Sequence, residues 1–250
     1  MRYVRLVIEY DGADYHGFEV QVGLRTVQGE LERAIASVTE TRTRLFGSGR
    51  TDAGAHALGQ VVSFTTESQL SCLDLRRALN ANLPLDMVVK SVEEVEPGFH
   101  ARRNAVCRHY RYSIWNAELR SAWMRHFRHH VIDPLDVVAM NRAAEVLVGT
   151  RDFACFTYGL NRYLGTEKYR TTVRTLFEAG WSGTAPTLDF DVAGAAFLPH
   201  MIRNMVGSML KVGLGKMTPE EYRGLVESGA PQLSTVTVPA CGLTLVSVEY

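Results

Sequence analysis

The chain has 250 residues, 46% hydrophobic and 22% charged, with 27 basic residues balancing 27 acidic ones. That composition excludes a disordered tail, a collagen and a coiled-coil rod, and the length suits one large domain or two small ones. The neutral mean charge does not advertise a nucleic-acid binder, so any such function must come from a local patch.

Residues 3–10 are β-rich and predict a strand. A glycine-bearing loop runs over 11–25. Thr26 can cap a helix in which Val27, Leu31, Ile35 and Val38 recur at helical spacing. A short strand is expected at 42–46, a glycine-rich loop at 47–59 and a strand at 60–65. A helix at 73–81 ends at Asn82-Leu83-Pro84, and a strand follows at 87–95. The order β-α-β-β-α-β is that of a ferredoxin-like, split-βαβ unit. The second half repeats it. Strands are expected at 106–115, 171–179, 188–192 and 243–250, and helices at 135–148 and 198–212. In the last of these helices Leu198, Met201, Ile202, Met205, Val206, Met209 and Leu210 trace one apolar face. A basic segment at 120–131 and a short helix at 219–227 read as insertions. The expected fold is α+β: two ferredoxin-like units, 1–103 and 104–250, with a joined, mostly antiparallel mixed sheet flanked by helices. The first carries the glycine-rich loop, taken as 47–57, and the second the basic insertion.

The start of the chain lacks an apolar leader pattern. The uncharged stretch 228–248 holds Pro231, Pro239 and many hydroxyls, too polar and broken to span a bilayer. Cys72, Cys107, Cys155 and Cys241 lack metal-ligand spacing and suit a reducing compartment. The expectation is a cytoplasmic protein with no membrane segment and no zinc ribbon.

The loop Gly47-Ser48-Gly49-Arg50-Thr51-Asp52-Ala53-Gly54-Ala55-His56 lies between two strands. It lacks the Gly-Lys-Ser/Thr ending of a phosphate loop, and a strand follows it where a dinucleotide fingerprint needs a helix. Ser48, Asp52 and His56 crowd too closely for a hydrolase triad, and no nucleophile elbow surrounds Ser48. Asp52 has two readings. It is either a turn carboxylate, the commonest use of Asp in a loop, or an ionised group held anionic by Arg50 and available as nucleophile or base. No second acid lies close enough to mark a glycosidase pair.

Residues 99–130 hold seven arginines (Arg102, Arg103, Arg108, Arg111, Arg120, Arg125 and Arg128), five histidines and one acid, Glu118. Such a local imbalance suits a phosphate-tracking surface better than an ordinary solvated face. Arg108, Tyr110 and Tyr112 fall on one face of a strand, where an aromatic ring beside arginine can stack an unpaired base. Arg203 reads either as a surface arginine or as a buried partner for a carboxylate such as Asp52.

Seven blocks in order resemble the bacterial tRNA pseudouridine synthases of the TruA family. They are Glu9-Tyr10-Asp11-Gly12 with Tyr15-His16-Gly17, Arg25-Thr26-Val27-Gln28, the 49–57 loop, Asn80-Ala81-Asn82-Leu83-Pro84, Phe99-His100-Ala101-Arg102, Tyr110-Arg111-Tyr112, and the run from Phe197 to Gly207 containing Arg203. The resemblance implies a homodimeric isomerase with no cofactor and no metal. It would convert uridine to pseudouridine at positions 38, 39 and 40 of the tRNA anticodon arm. By match, Asp52 is the nucleophile, Tyr110 stacks on the target uracil and Arg203 pairs with the catalytic carboxylate. Arg50 helps hold the target nucleotide out of the stack. Two departures stand out. Gly17-Phe18-Glu19-Val20-Gln21 replaces Gly-Trp-Gln-x-Gln, placing an acid near the expected RNA face. Gly242-Leu243-Thr244-Leu245 replaces Gly-Leu-Tyr-Leu, removing a ring. A catalytically silent RNA binder and an aspartate-dependent small-molecule hydrolase are the competing readings.

Overall fold

Alternation of apolar residues drives the first strand. In β1 (Arg2–Tyr10), Val4, Leu6, Ile8 and Tyr10 are each at most 2% exposed, and the residues between them face the other way. The computed structural model describes residues 1–157, 171–230 and 236–250, and among these no helix is long and apolar enough to cross a membrane. Pro231 lies outside the described residues. The chain divides into two compact units: Met1–Val106 with Thr244–Tyr250, and Cys107–Leu243.

In the first unit β1 is followed by α1 (Val27–Thr39), β2 (Phe46–Gly47), β3 (His56–Thr66), α2 (Cys72–Asn82) and β4 (Met87–Glu94). This is the expected β-α-β-β-α-β order. The Thr26 hydroxyl accepts the Gly29 amide and starts α1, whose Val27, Leu31, Ala34 and Ile35 are buried. Ser71 caps α2 in the same way, and Leu75 and Leu79 bury its inner face. Strand β1 runs antiparallel to both β3 and β4. The expected strand at 42–46 shrinks to the two residues of β2. Thr43 instead bonds the Thr65 carbonyl through its side chain, 3.0 Å away, in place of a main-chain ladder bond. The last strand, β10 (Leu243–Glu249), runs parallel to β3, with Thr244 opposite His56 and Leu245 opposite Ala57. By packing, residues 244–250 therefore group with the first unit.

The second unit contains β5 (Cys107–Asn116), β6 (His129–Val131), α3 (Val137–Glu145), β7 (Gly149–Asp152), β8 (Val173–Thr184), β9 (Thr187–Gly194), α4 (Met201–Gly213) and α5 (Pro219–Ser228). Its sheet runs β5-β9-β8-β7, each neighbour antiparallel, with β6 parallel to β5. The predicted apolar face of α4 is buried throughout. The helix starts three residues later than its periodicity suggests. Pro199 disfavours helical backbone at Leu198, and His200 adopts a left-handed φ of 58°. β7 is a short Gly-Thr-Arg-Asp segment whose charges hide it from hydrophobic patterning.

Candidate active site

The glycine-rich loop is fastened from both sides. The Ser48 hydroxyl donates to Gln60 Oε1 (2.6 Å), and Gln60 Nε2 returns a bond to the Gly49 carbonyl (2.8 Å). The hydroxyls of Tyr10 and Thr51 lie 2.8 Å apart in a buried contact. The segment after β1 lies along the loop: the Phe18 amide donates to the Thr51 carbonyl (3.1 Å) and the Gly54 amide to the Tyr15 carbonyl (3.2 Å). Gly12 packs so closely on Ala55 that a Cβ there would overlap the Ala55 carbonyl, and its amide donates to His56 Nδ1 at 3.0 Å.

Asp52 sits at the crest of this frame. Its carbonyl accepts the Ala55 amide (3.1 Å), and Gly54 supplies a φ of 80° in the third position, the signature of a type II turn. The main chain closes the turn, so the turn does not need the Asp52 carboxylate, which is half-buried. Ser48 and His56 serve the frame, in keeping with the rejection of a triad. Arg50 turns toward the preceding segment, where its Nε lies 3.3 Å from Glu19 Oε2.

A second group steadies the segment that clamps the loop. Arg25 makes two hydrogen bonds to Asp86 (2.8 and 3.0 Å), stacks 4.2 Å over the Tyr15 ring, and Tyr15 donates to Asp86 at 2.7 Å. Burial alone would raise the Asp86 pKa, but the bonds from Arg25 and Tyr15, with the Arg25 charge, outweigh it and hold the carboxyl below its ordinary value. Burial, reinforced by Asp86, pushes the Tyr15 phenol up. Sequence reasoning missed this brace and the Phe18 clamp. Tyr15 and Arg25 stood in noticed blocks, but nothing local tied them to Asp86.

In the second unit Arg108, Tyr110 and Tyr112 share the buried face of β5, as period two requires. Tyr110 is 7% exposed and meets Phe197 edge to face, with centroids 5.1 Å apart. Tyr112 donates to the Pro239 carbonyl (2.8 Å). Arg203, half-buried on α4, donates from Nε to the Val238 carbonyl (2.8 Å). Burial raises the pKa values of Tyr112 and Cys241, and the Arg203 charge opposes that rise in both, which puts its guanidinium within electrostatic reach of each. Of the four expected site residues, Asp52 and Arg50 belong to the first unit and Tyr110 and Arg203 to the second.

The basic segment is thinner than its count. Arg108 is buried and bonds the Ala195 carbonyl. Arg111 makes a two-point pair with Asp191, and Arg128 pairs with Asp189. Both acids arrive on β9, far away in sequence, so the local imbalance overstates the patch. Arg102, Arg103, Arg120 and Arg125 remain exposed.

A profile of the tRNA pseudouridine synthase family matches residues 6–102 and 143–250. The chain belongs to that family. It is 42% identical to a tRNA pseudouridine synthase A of Acetivibrio thermocellus over 250 residues, covering all of both chains. It is 41% identical to a protein of the same name from Chloroflexus aurantiacus, covering all of this chain and 89% of that one. The Bacillus subtilis protein of that name is 37% identical, over 99% of this chain and 98% of the other. Within the family-matched stretches lie Arg50, Asp52 and Arg203, together with the Tyr15–Arg25–Asp86 brace. Tyr110 and the 120–131 segment fall between them.

Proposed function

We propose that the protein isomerises uridine to pseudouridine in tRNA, at positions 38, 39 and 40 of the anticodon arm, with Asp52 as the nucleophile. The observation that carries this reading is the Asp52 turn: a carboxylate on a crest that the main chain holds, inside a family-matched stretch. In the reaction the C1′–N1 bond breaks, the uracil turns, C1′ joins C5, the C5 hydrogen leaves as a proton and N1 gains one. A carboxylate nucleophile divides this into manageable steps. The attack is at C6 of the base or at the sugar carbon; both routes use the same positioned anion.

The other residues take roles in the same reading. Arg50 helps hold the flipped nucleotide, Tyr110 stacks on its base and Arg203 pairs with the catalytic carboxylate. Flipping costs a few kcal/mol, less at a weak stem end. Because Tyr110 is 7% exposed, the base reaches its ring only after neighbouring side chains shift. The exposed Arg120 and Arg125 track phosphates. The protein works in the cytoplasm as a homodimer, with Leu119, Trp123 and Ile132, exposed by 77%, 85% and 60%, as candidate contact residues.

Tritium release from tRNA labelled at uridine C5 tests the reaction, because the C1′–C5 bond cannot form without expelling that hydrogen. The wild type is expected to release it. Asp52→Asn is expected to release none while still folding and binding tRNA. Release by both proteins would remove Asp52 as the nucleophile. No release by a folded, tRNA-binding wild type would favour the silent binder.

A further inference from the structure

Arg50 stands next to a carboxylate that the chemistry above does not use. Its Nε is 3.3 Å from Glu19 Oε2, with the two side chains 37% and 59% exposed. Most ion pairs this exposed are loosely held and contribute little. This one is delivered by a fixed backbone. Phe18, next to Glu19, is 3% exposed, and its ring lies against Gly47. Its amide bonds the Thr51 carbonyl, and its carbonyl accepts the Gln28 amide at the start of α1 (2.9 Å). Gly17 holds a φ of 88°, with its α-carbon close to the Thr51 carbonyl. Glu19 and Arg50 therefore project from two strands of loop that are tied together, one residue from each tie.

A carboxylate and a phosphodiester offer a guanidinium the same thing: a planar or near-planar pair of anionic oxygens. We infer that Glu19 is an internal stand-in for an RNA phosphate, occupying Arg50 in the free protein and being exchanged for a backbone phosphate of the substrate. The inference rests on the reading that the substrate is tRNA and that Arg50 contacts it. Glu19 is then a positioning residue. It occupies the Arg50 guanidinium in the free protein, and it makes RNA displace an anion to engage Arg50. RNA that does not bring a phosphate to Arg50 leaves the pair closed and gains nothing from the Arg50 charge.

The test is Glu19→Gln, which removes the charge and keeps a hydrogen-bond acceptor. Affinity for an anticodon stem-loop RNA is read in an Asp52→Asn background, so that turnover does not enter. At low salt the Gln variant is expected to bind about three- to fivefold more tightly, the range for releasing one exposed ion pair. The gain should shrink toward parity at about 0.5 M salt. In the active enzyme KM should fall by a similar factor while kcat changes less. In an Arg50→Gln background the same substitution should have no such effect. Equal affinity of Glu19→Gln and its parent at low salt would overturn the inference, and so would a gain that persists without Arg50, which would mean a general field effect. Failure of the wild type to release tritium is a separate outcome and would strike the proposed function itself.

Discussion

At Gly12 the missing side chain is a requirement of the Asp52 turn. The α-carbon lies against the Ala55 carbonyl, and the Gly12 amide is bound to His56. An alanine there forces either the 11–15 segment or the 52–55 turn to shift. Gly12→Ala is expected to cost about 1–3 kcal/mol in urea denaturation, the usual range for overpacking. On the role proposed for Asp52 it should also slow tritium release by up to about 100-fold, because a small displacement of a reacting group costs far more in rate than in stability. A variant that lost stability with its rate intact would show that the turn tolerates the shift. Arg50 teaches a related point. Its position beside Asp52 in sequence suggests a local partner, and the fold adds a distant one, Glu19, some thirty residues earlier.

Among elements, the Tyr15–Arg25–Asp86 brace joins the loop after β1 to the turn before β4. Asp86 is held below its ordinary pKa. A carboxyl with a depressed folded pKa stabilises fully above its unfolded value and loses that contribution as pH falls through the folded one. Asp86→Asn is expected to destabilise by about 1–2 kcal/mol at neutral pH, given the partial exposure of the pair. The gap between variant and wild type should close as the solution is acidified below the ordinary carboxylate value of about 3.9. Denaturation midpoints at pH 7 and at pH values below that point check this, and a constant gap would mean that the amide disrupts packing and not charge. The elements themselves were largely legible. Period two in β1 and the apolar stripe of α4 are repeated signals that burial then confirms. What was illegible depends on partners brought together by folding: β2 reduced to two residues, β7 with its charges, and the β9 acids that neutralise Arg111 and Arg128. The glycine pattern marked the Asp52 loop, but its clamps run through Phe18, Tyr15 and Gln60, whose partners no local pattern names.

For the molecule as a whole, two histidines set a pH trend. Burial, then Arg103, lowers the His100 pKa, and burial, then His130, lowers that of His129. Both therefore stay neutral in the folded protein at pH values where the unfolded chain takes up protons. Stability should fall as pH drops below the unfolded value of about 6.5, and the fall should stop once the folded histidines protonate as well. Melting temperatures from pH 7.5 to 5 are expected to decline in the wild type and to decline less in a His100→Gln, His129→Gln double variant. An identical slope in the two proteins would assign the trend to other groups.

The parallel pairing of β10 with β3 also has a consequence during synthesis. The strand that flanks His56, at the end of the Asp52 loop, is made only after the whole of Cys107–Leu243. At roughly 5–20 residues per second, on the order of ten seconds separate the emergence of Val106 from that of Tyr250. For that interval β2 covers only the Val62–Ser63 part of that flank of β3, and the His56–Ala57 part is an open edge of the kind that invites wrong partners. The end of the loop that carries Asp52 thus gains its parallel partner only when β10 leaves the ribosome.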